Sequence, residues 1–389
     1  MLICALCAGS VVSTRSTTTC DAANPFDNLP DDIELQKCLD DYDAVLLKPN
    51  SLPGYVGYIV ANTIKMKRTG GLLTTADNPH KATIVAGVDL SSSMMRALGV
   101  DDFELSFIKF DGNREKRSAR DHPCDELRNF RNVELMGNGF HVRYVESTRA
   151  ICGSGMTIGD SSDFVIYGSW FYDNGRQPEE ANNIGGLWAD GLTVYKCVNA
   201  AIRDNFFWDN TDIDLAVGGG SKCAVYRNSI THMSKYAFAG LVAGDATRPG
   251  GEISNNTVTS GYNLLGFGIL AGCHPWPLCG GAYVLDVSVH DNRVTGAVVN
   301  LVVDGVNGGS VRNNTVSGAQ GNRLLNCPGA SADYTVGHAI NVSPLQTGYA
   351  VRIFDPQPTC QQARADGDAP ILRAGAANRL DALHAEHRH

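Results

Sequence analysis

Apolar residues along this chain come in short runs of three to six, broken by Gly, Asn, Asp or Pro, with little of the three-to-four spacing of long helices. Tyr58-Ile59-Val60, Ile64-Lys65-Met66, Leu72-Leu73 and Thr83 to Ala86 are strand-length pieces of this kind. One early stretch departs from the pattern. Asp31 to Asp41 has acidic residues at its start and Leu35 and Leu39 four apart, which predicts a short helix. From about Phe103 a unit recurs with the form apolar strand, Asn or Gly turn, apolar strand. Examples are NVELMGNGFHV (132 to 142), DFVIYGSWFYDN (163 to 174), NAAIRDNFFWDN (199 to 210), CAVYRNSITH (223 to 232) and GGSVRNNTVSG (308 to 318).

Asn174, Asn205, Asn228, Asn256, Asn292 and Asn314 mark successive units. Repetition every few tens of residues is the signature of a solenoid, whose coils bury their apolar sides by stacking on one another. Asparagine suits a turn that needs a left-handed backbone and a side chain able to bond along a ladder. The same reading makes Asn255-Asn256-Thr257 and Asn313-Asn314-Thr315 turns leading into strands rather than glycosylation triplets. A compact sandwich would not generate these units.

The short helix, then Leu46-Leu47-Lys48-Pro49, then Tyr58-Ile59-Val60 resembles the opening of the pectate-lyase-like right-handed parallel β-helix superfamily. The resemblance implies an all-β, right-handed parallel β-helix with a short N-terminal capping helix. It also implies a surface groove suited to long linear polymers, mostly polysaccharides. The expected division is a residual leader over 1–20, one β-helix domain over 21–360 and a C-terminal tail over 361–389. The repeats fade after Val311, and the Ala/Arg/Asp-rich tail reads as a weak amphipathic helix or as disorder.

Composition narrows the class. The chain has 389 residues and a net charge of −9, with no basic stripe to neutralise phosphates, so nucleic acid is not the expected partner. Twelve cysteines fall into neighbours: Cys20/Cys38, Cys124/Cys152, Cys197/Cys223, Cys273/Cys279 and Cys327/Cys360, with Cys4 and Cys7 left in an apolar start. None matches zinc spacing, which favours a disulfide-bonded, secreted or periplasmic protein. Leu2 to Val12 is too short to cross a membrane and reads as the tail of a signal peptide. No membrane partner is expected, and an elongated solenoid leaves room for a homo-oligomer packed along its axis.

Candidate chemistry centres on 186 to 228, where Asp190, Asp204, Asp209, Asp212 and Asp214 crowd between apolar strands. Laying Cys197 over Cys223 puts Asp190 over Ala216 and Trp188 over Asp214, so Asp190 and Asp214 share one face with Asp212 beside them. Their backbones would then lie roughly 8 Å apart, within the roughly 6.5–9.5 Å carboxyl separation of inverting glycosidases. A one-residue slip would reverse the faces, leaving these aspartates as solvated charges. The leading expectation is a glycoside hydrolase using this pair.

Asn210-Thr211-Asp212 resembles a polygalacturonase motif, but the Asp-Asp pair, Gly-His-Gly and Arg-Ile-Lys of that family are missing. His232 and Lys235, with Tyr236, are candidate bases for a lyase or epimerase, in which clustered aspartates could hold Ca²⁺; the hydrolase needs no cofactor. Asp173, Arg176, Trp188, Tyr236 and Trp276 are candidate substrate contacts. The non-enzymatic alternative is an adhesin-like solenoid that binds glycans without turnover. Nucleotide-binding, zinc-protease and serine-hydrolase motifs are absent.

Overall fold

The computed structural model describes residues 16–318 apart from 118–129, 178–187, 245–249, 273–283, 308–309 and positions 263, 286 and 298; beyond 318 it describes the strands Ala332–His338, Asn341–Val342 and Val351–Arg352. The chain winds into a parallel β-helix. A 22-stranded sheet bends around two sides, a 10-stranded sheet forms the third, and the pairings in both are parallel. The bend is visible in single strands: Ala189–Arg203 pairs with Gly153–Ser162 through one half and with Val165–Tyr167 through the other. Asn199, at φ 49°, turns the corner between them.

Each strand turns alternate residues inward, as its period of two dictates. The smaller sheet stacks Phe110, Ser147, Phe171, Phe207, Ile230 and Val258 toward the axis. All six are buried, and the Phe171 and Phe207 rings stack at 5.2 Å. Phe103, Phe140 and Phe164 form a second aromatic stack at another corner, with centroids 4.7 and 5.0 Å apart.

The corner before the smaller sheet uses a two-residue device repeated coil after coil. A left-handed residue (Asp204, Arg227, Asn255, Asp291, Asn313; φ 54° to 57°) is followed by an inward asparagine. Asn205, Asn228, Asn256, Asn292 and Asn314 form a continuous ladder. The first four Nδ2 groups donate to the next Oδ1, from 2.9 to 3.0 Å, and all five donate to a main-chain carbonyl of the preceding coil. Asn174 is not a rung. It sits at the opposite end of the smaller sheet and donates to Asn210 instead, at 2.8 Å.

The predicted capping helix spans Asp32–Asp41 and buries Leu35 and Leu39 against the first coils. Asp31, just before it, accepts the main-chain N–H groups of Asn24 and Ile59. Burial pushes its carboxyl up to about 6 despite those bonds. The Cys20–Cys38 disulfide ties the helix to the lead-in, and Thr17–Thr19 already pairs with Ala44–Leu46, so ordered structure begins before residue 21. Cys197–Cys223 also forms, and Cys152 is disulfide-bonded. Cys273/Cys279, Cys327/Cys360 and the tail over 361–389 lie outside the described residues. Among the described residues no helix is long and apolar enough to cross a membrane.

Candidate functional site

The register between the two longest strands corrects the expected aspartate pair. Across Ala189–Arg203 and Ile213–Tyr226, Leu192 lies opposite Leu215 and Cys197 opposite Gly220, three residues before Cys223. An odd shift reverses the faces. Asp190 therefore falls opposite Ile213, and Asp214 opposite Gly191. The cysteines are bonded without being register partners because the chain bends between them at left-handed Asn199 and Lys222. A diagonal bond across a corner looks, in sequence, like a vertical one.

Asp214 points into the solenoid. It occupies an inward column otherwise lined by Gly155, Gly191, Gly240 and Gly268, so its carboxylate enters space that glycine leaves open. A Cβ on Gly191 would approach Asn210 Nδ2 to 2.9 Å and the Phe207 ring to 3.0 Å. Asp214 is fully buried. Its Oδ1 accepts from Asn210 Nδ2 at 2.8 Å, and its Oδ2 lies 2.5 Å from His232 Nε2. His232 is fully buried too, with Nδ1 3.0 Å from the Lys235 carbonyl.

Both His232 ring nitrogens thus face acceptors, which calls for the doubly protonated imidazolium. Burial opposes that charge, but the Asp214 carboxylate, its hydrogen bond and the Lys235 carbonyl outweigh it and raise His232 above its ordinary pKa. Asp209, also buried, accepts the Met233 and Ser234 N–H groups and the Ser234 hydroxyl. The constellation Asn174–Asn210–Asp214–His232 is a buried strut that fixes the turn at 233–235. Asp214 and His232 are both closed off from solvent in it.

The other sequence candidates scatter. Asp190 is half-buried and accepts the Thr193 hydroxyl at 2.6 Å and the Ile213 N–H at 3.1 Å. Asp212 is buried at the corner, its carbonyl accepting the Phe238 N–H. Lys235 leaves the core to reach Asp173 at 2.5 Å, and Arg114 holds the same carboxylate from the other side. Arg176 and Trp188 are half-buried, Tyr236 is exposed on its turn, and Trp276 lies outside the described residues. Among the described residues no group of three or more His, Cys, Asp or Glu side chains is placed to hold a metal ion. The carboxylates of Asp209 and Asp214 are committed to protein donors, so this cluster does not fit Ca²⁺.

The structure instead assembles a surface on the outer face of the smaller sheet. Trp170–Tyr172 and Phe206–Trp208 are neighbouring parallel strands, with Trp170 opposite Phe206 and Tyr172 opposite Trp208. Since Phe171 and Phe207 point inward, the flanking residues put four aromatic side chains outward side by side. Trp170 and Trp208 are 47% and 45% exposed, unusual for tryptophan on a folded surface, and the Trp170 and Phe206 centroids are 4.9 Å apart.

The next strands bring charge. Glu146 lies opposite Trp170, accepts the Tyr172 hydroxyl at 3.0 Å and pairs with Lys81 at 2.5 Å. Asp111 is gripped by Arg149, whose Nε donates at 2.8 Å. Thr148, between Asp111 and Tyr172 in the stack, has a buried hydroxyl without a hydrogen-bond partner. On the far side, Ser229, Thr231, Thr257 and Thr259 continue the face as hydroxyls. The sequence carried a signal for this surface: Trp-Phe-Tyr-Asp-Asn at 170–174 and Phe-Phe-Trp-Asp-Asn at 206–210 are aromatic at three consecutive positions, and a strand must turn at least one of them outward.

No protein-family model matches the chain, and no curated protein matches it in sequence. Solved structures do resemble it. The Dettilon tailspike protein is 12% identical with a TM-score of 0.54, and the alignment covers 86% of this chain and 65% of the tailspike, so the chain spans about two-thirds of that protein. Endopolygalacturonase I from Stereum purpureum is 15% identical over 79% of this chain and 94% of its own, with a TM-score of 0.45. The A-module of a mannuronan C-5 epimerase from Azotobacter vinelandii is 13% identical over 84% and 99%, with a TM-score of 0.40. At such identities the likeness is one of fold, and the fold is the parallel β-helix read from the repeats.

Proposed function

We propose that this protein binds a linear polysaccharide laid along the outer face of its smaller sheet. The observation that carries the reading is the pair of half-exposed tryptophans, Trp170 and Trp208, standing with Phe206 and Tyr172 on two adjacent strands. A sugar ring has an apolar face that can lie on an aromatic ring and a rim of hydroxyls that needs hydrogen-bonding groups. This surface supplies both, with rings in the middle and Glu146, Lys81, Ser229 and Thr231 around them. Contiguous exposed apolar patches rimmed by polar residues mark interaction sites. The charges so close to the rings argue against a protein partner, because the cores of protein interfaces are depleted of charge. The disulfides suit an oxidising compartment, and we place the protein outside the cell or in a periplasm.

Trp170→Ala and Trp208→Ala test the reading. Buried aromatic anchors contribute about 2 kcal/mol or more each, a loss of roughly thirtyfold in affinity. Titration against a polysaccharide panel should show that loss in each variant with unfolding unchanged. Wild-type affinity in both would remove the platform from consideration.

A second reading, hydrolysis, rests on a different observation. Glu146 and Asp111 stand on this same face, one strand and two residues apart, because Lys109 is the register partner of Glu146 and Thr148 that of Asp111. Their backbones are thus roughly 8 Å apart, and inverting glycosidases hold their two carboxyl groups roughly 6.5–9.5 Å apart. Asp111 is itself buried and held by Arg149, so the half-buried Glu146 is the residue of this pair that the test addresses. With Glu146→Gln, release of new reducing ends should fall by roughly a hundredfold or more, while binding persists. Undiminished release would exclude Glu146, and binding without release by the wild type would leave a glycan-binding protein.

A further inference from the structure

We infer that the glycan held on the aromatic face is anionic and that Lys109 reads its acidic groups; the inference rests on the binding reading above. The carboxylates on this face already have bases. Glu146 pairs with Lys81, Asp111 with Arg149, and Asp173 with both Arg114 and Lys235. Lys109 is left over. Although it is the register partner of Glu146, that carboxylate turns toward Lys81, and among the described residues no carboxylate lies within 4 Å of the Lys109 ammonium. The ammonium instead sits 5.9 Å from the centroid of Tyr172, over the ring. A ring face attracts the charge but takes none of its three N–H donors in a directed bond. A cation held over an aromatic platform with its donors unspent is the chemistry that accepts a carboxylate or a sulfate.

The opposite end of the same outward column carries a second cation. Passing Glu146, Trp170, Phe206, Ser229 and Thr257, the stack arrives at Arg293, which is exposed and forms no ion pair among the described residues. Six strand steps separate Lys109 from Arg293, about 29 Å along the axis. The column therefore reads, in order, cation, a carboxylate already paired with Lys81, rings, hydroxyls, cation. That order suits an acidic polymer extended along the solenoid. It stands out on a chain whose net charge of −9 would otherwise repel polyanions.

The test uses the full chain with four probes: polygalacturonate, the same polymer with its carboxyls reduced to alcohols, dextran sulfate and dextran. The expected result is tighter binding of an acidic probe than of its neutral counterpart, with a shallow salt dependence that reflects one or two ion contacts rather than a polyanion track. Lys109→Gln should lower affinity for the acidic probe by roughly fivefold to tenfold and leave the neutral one unchanged. Preference for polygalacturonate assigns a carboxylate, and preference for dextran sulfate assigns a sulfate. Equal binding of acidic and neutral forms, or equal weakening of both by Lys109→Gln, overturns the inference and leaves the aromatic platform standing. If no probe binds, or if binding of every probe is unaffected by Trp208→Ala, the binding reading fails and this inference fails with it.

Discussion

Asp214→Ala is expected to destabilise the protein by about 3–5 kcal/mol, the usual consequence of removing one partner of a buried ion pair. The variant leaves His232 charged or half-satisfied in a site with no access to water, and it leaves Asn210 Nδ2 with only its bond to the Phe171 carbonyl. The turn at 233–235 would loosen first, because His232 holds the Lys235 carbonyl. The expected readouts are a lower unfolding midpoint and faster hydrogen exchange at Ser234 and Lys235. Binding on the smaller sheet's outer face should survive in the folded fraction, since Asp214 does not reach it. A wild-type midpoint for Asp214→Ala would mean that the strut is not formed.

The pair also sets a pH signature. His232 is raised above its ordinary value, so its protonation binds more strongly in the folded state than in the unfolded one. The contribution is complete below the unfolded histidine value of about 6.5 and is lost as pH rises through the elevated folded value. Wild-type stability should fall across that alkaline limb. Asp214→Asn, which removes the charge that raises His232, should flatten it. Stability curves of equal slope for both proteins above neutrality would show that His232 is not charged in the fold.

Asn228→Ala is the second large effect, with an expected loss of about 3 kcal/mol or more, since each buried polar group left unpaired costs about 1–3 kcal/mol. Asn228 Oδ1 accepts both the main-chain N–H and the Nδ2 of Asn205, while its own Nδ2 serves the Ile202 carbonyl and Asn256 Oδ1. Alanine keeps the backbone and removes all four bonds. Two donors on Asn205 and the Ile202 carbonyl would be left unpaired in a site closed to solvent. Asn314→Ala at the far end should cost less. Its Oδ1 serves Asn292, its Nδ2 serves the Val289 carbonyl, and its surroundings are more open. Equal midpoints for the two variants would argue that the ladder does not act as a connected column.

These two sites divide what could be read in the chain from what could not. The ladder was legible because its chemistry is local. A left-handed residue followed by asparagine and a strand is written within four positions, as in Arg227-Asn228-Ser229-Ile230, and repeats in each coil. Asn174 entered the same series wrongly, because spacing alone does not separate two corners that both use asparagine. The capping helix and the Cys20–Cys38 and Cys197–Cys223 bonds were legible for the same local reason. The aromatic runs at 170–174 and 206–210 are just as local, but only the pairing of their strands sets them side by side.

The sequence alone therefore determined the architecture: a period of strands and turns that forces coils to stack, an asparagine corner, a capped N-terminus and an outward face rich in rings. Only the tertiary structure decided the register between coils, and with it which side each aspartate takes. Alternation within a strand is a property of neighbouring residues. Register is set by how corners bend and how a whole coil seats on the one before it. A shift of three residues there carried Asp214 from the surface into a buried bond with His232, while four aromatic side chains stand outward on the smaller sheet.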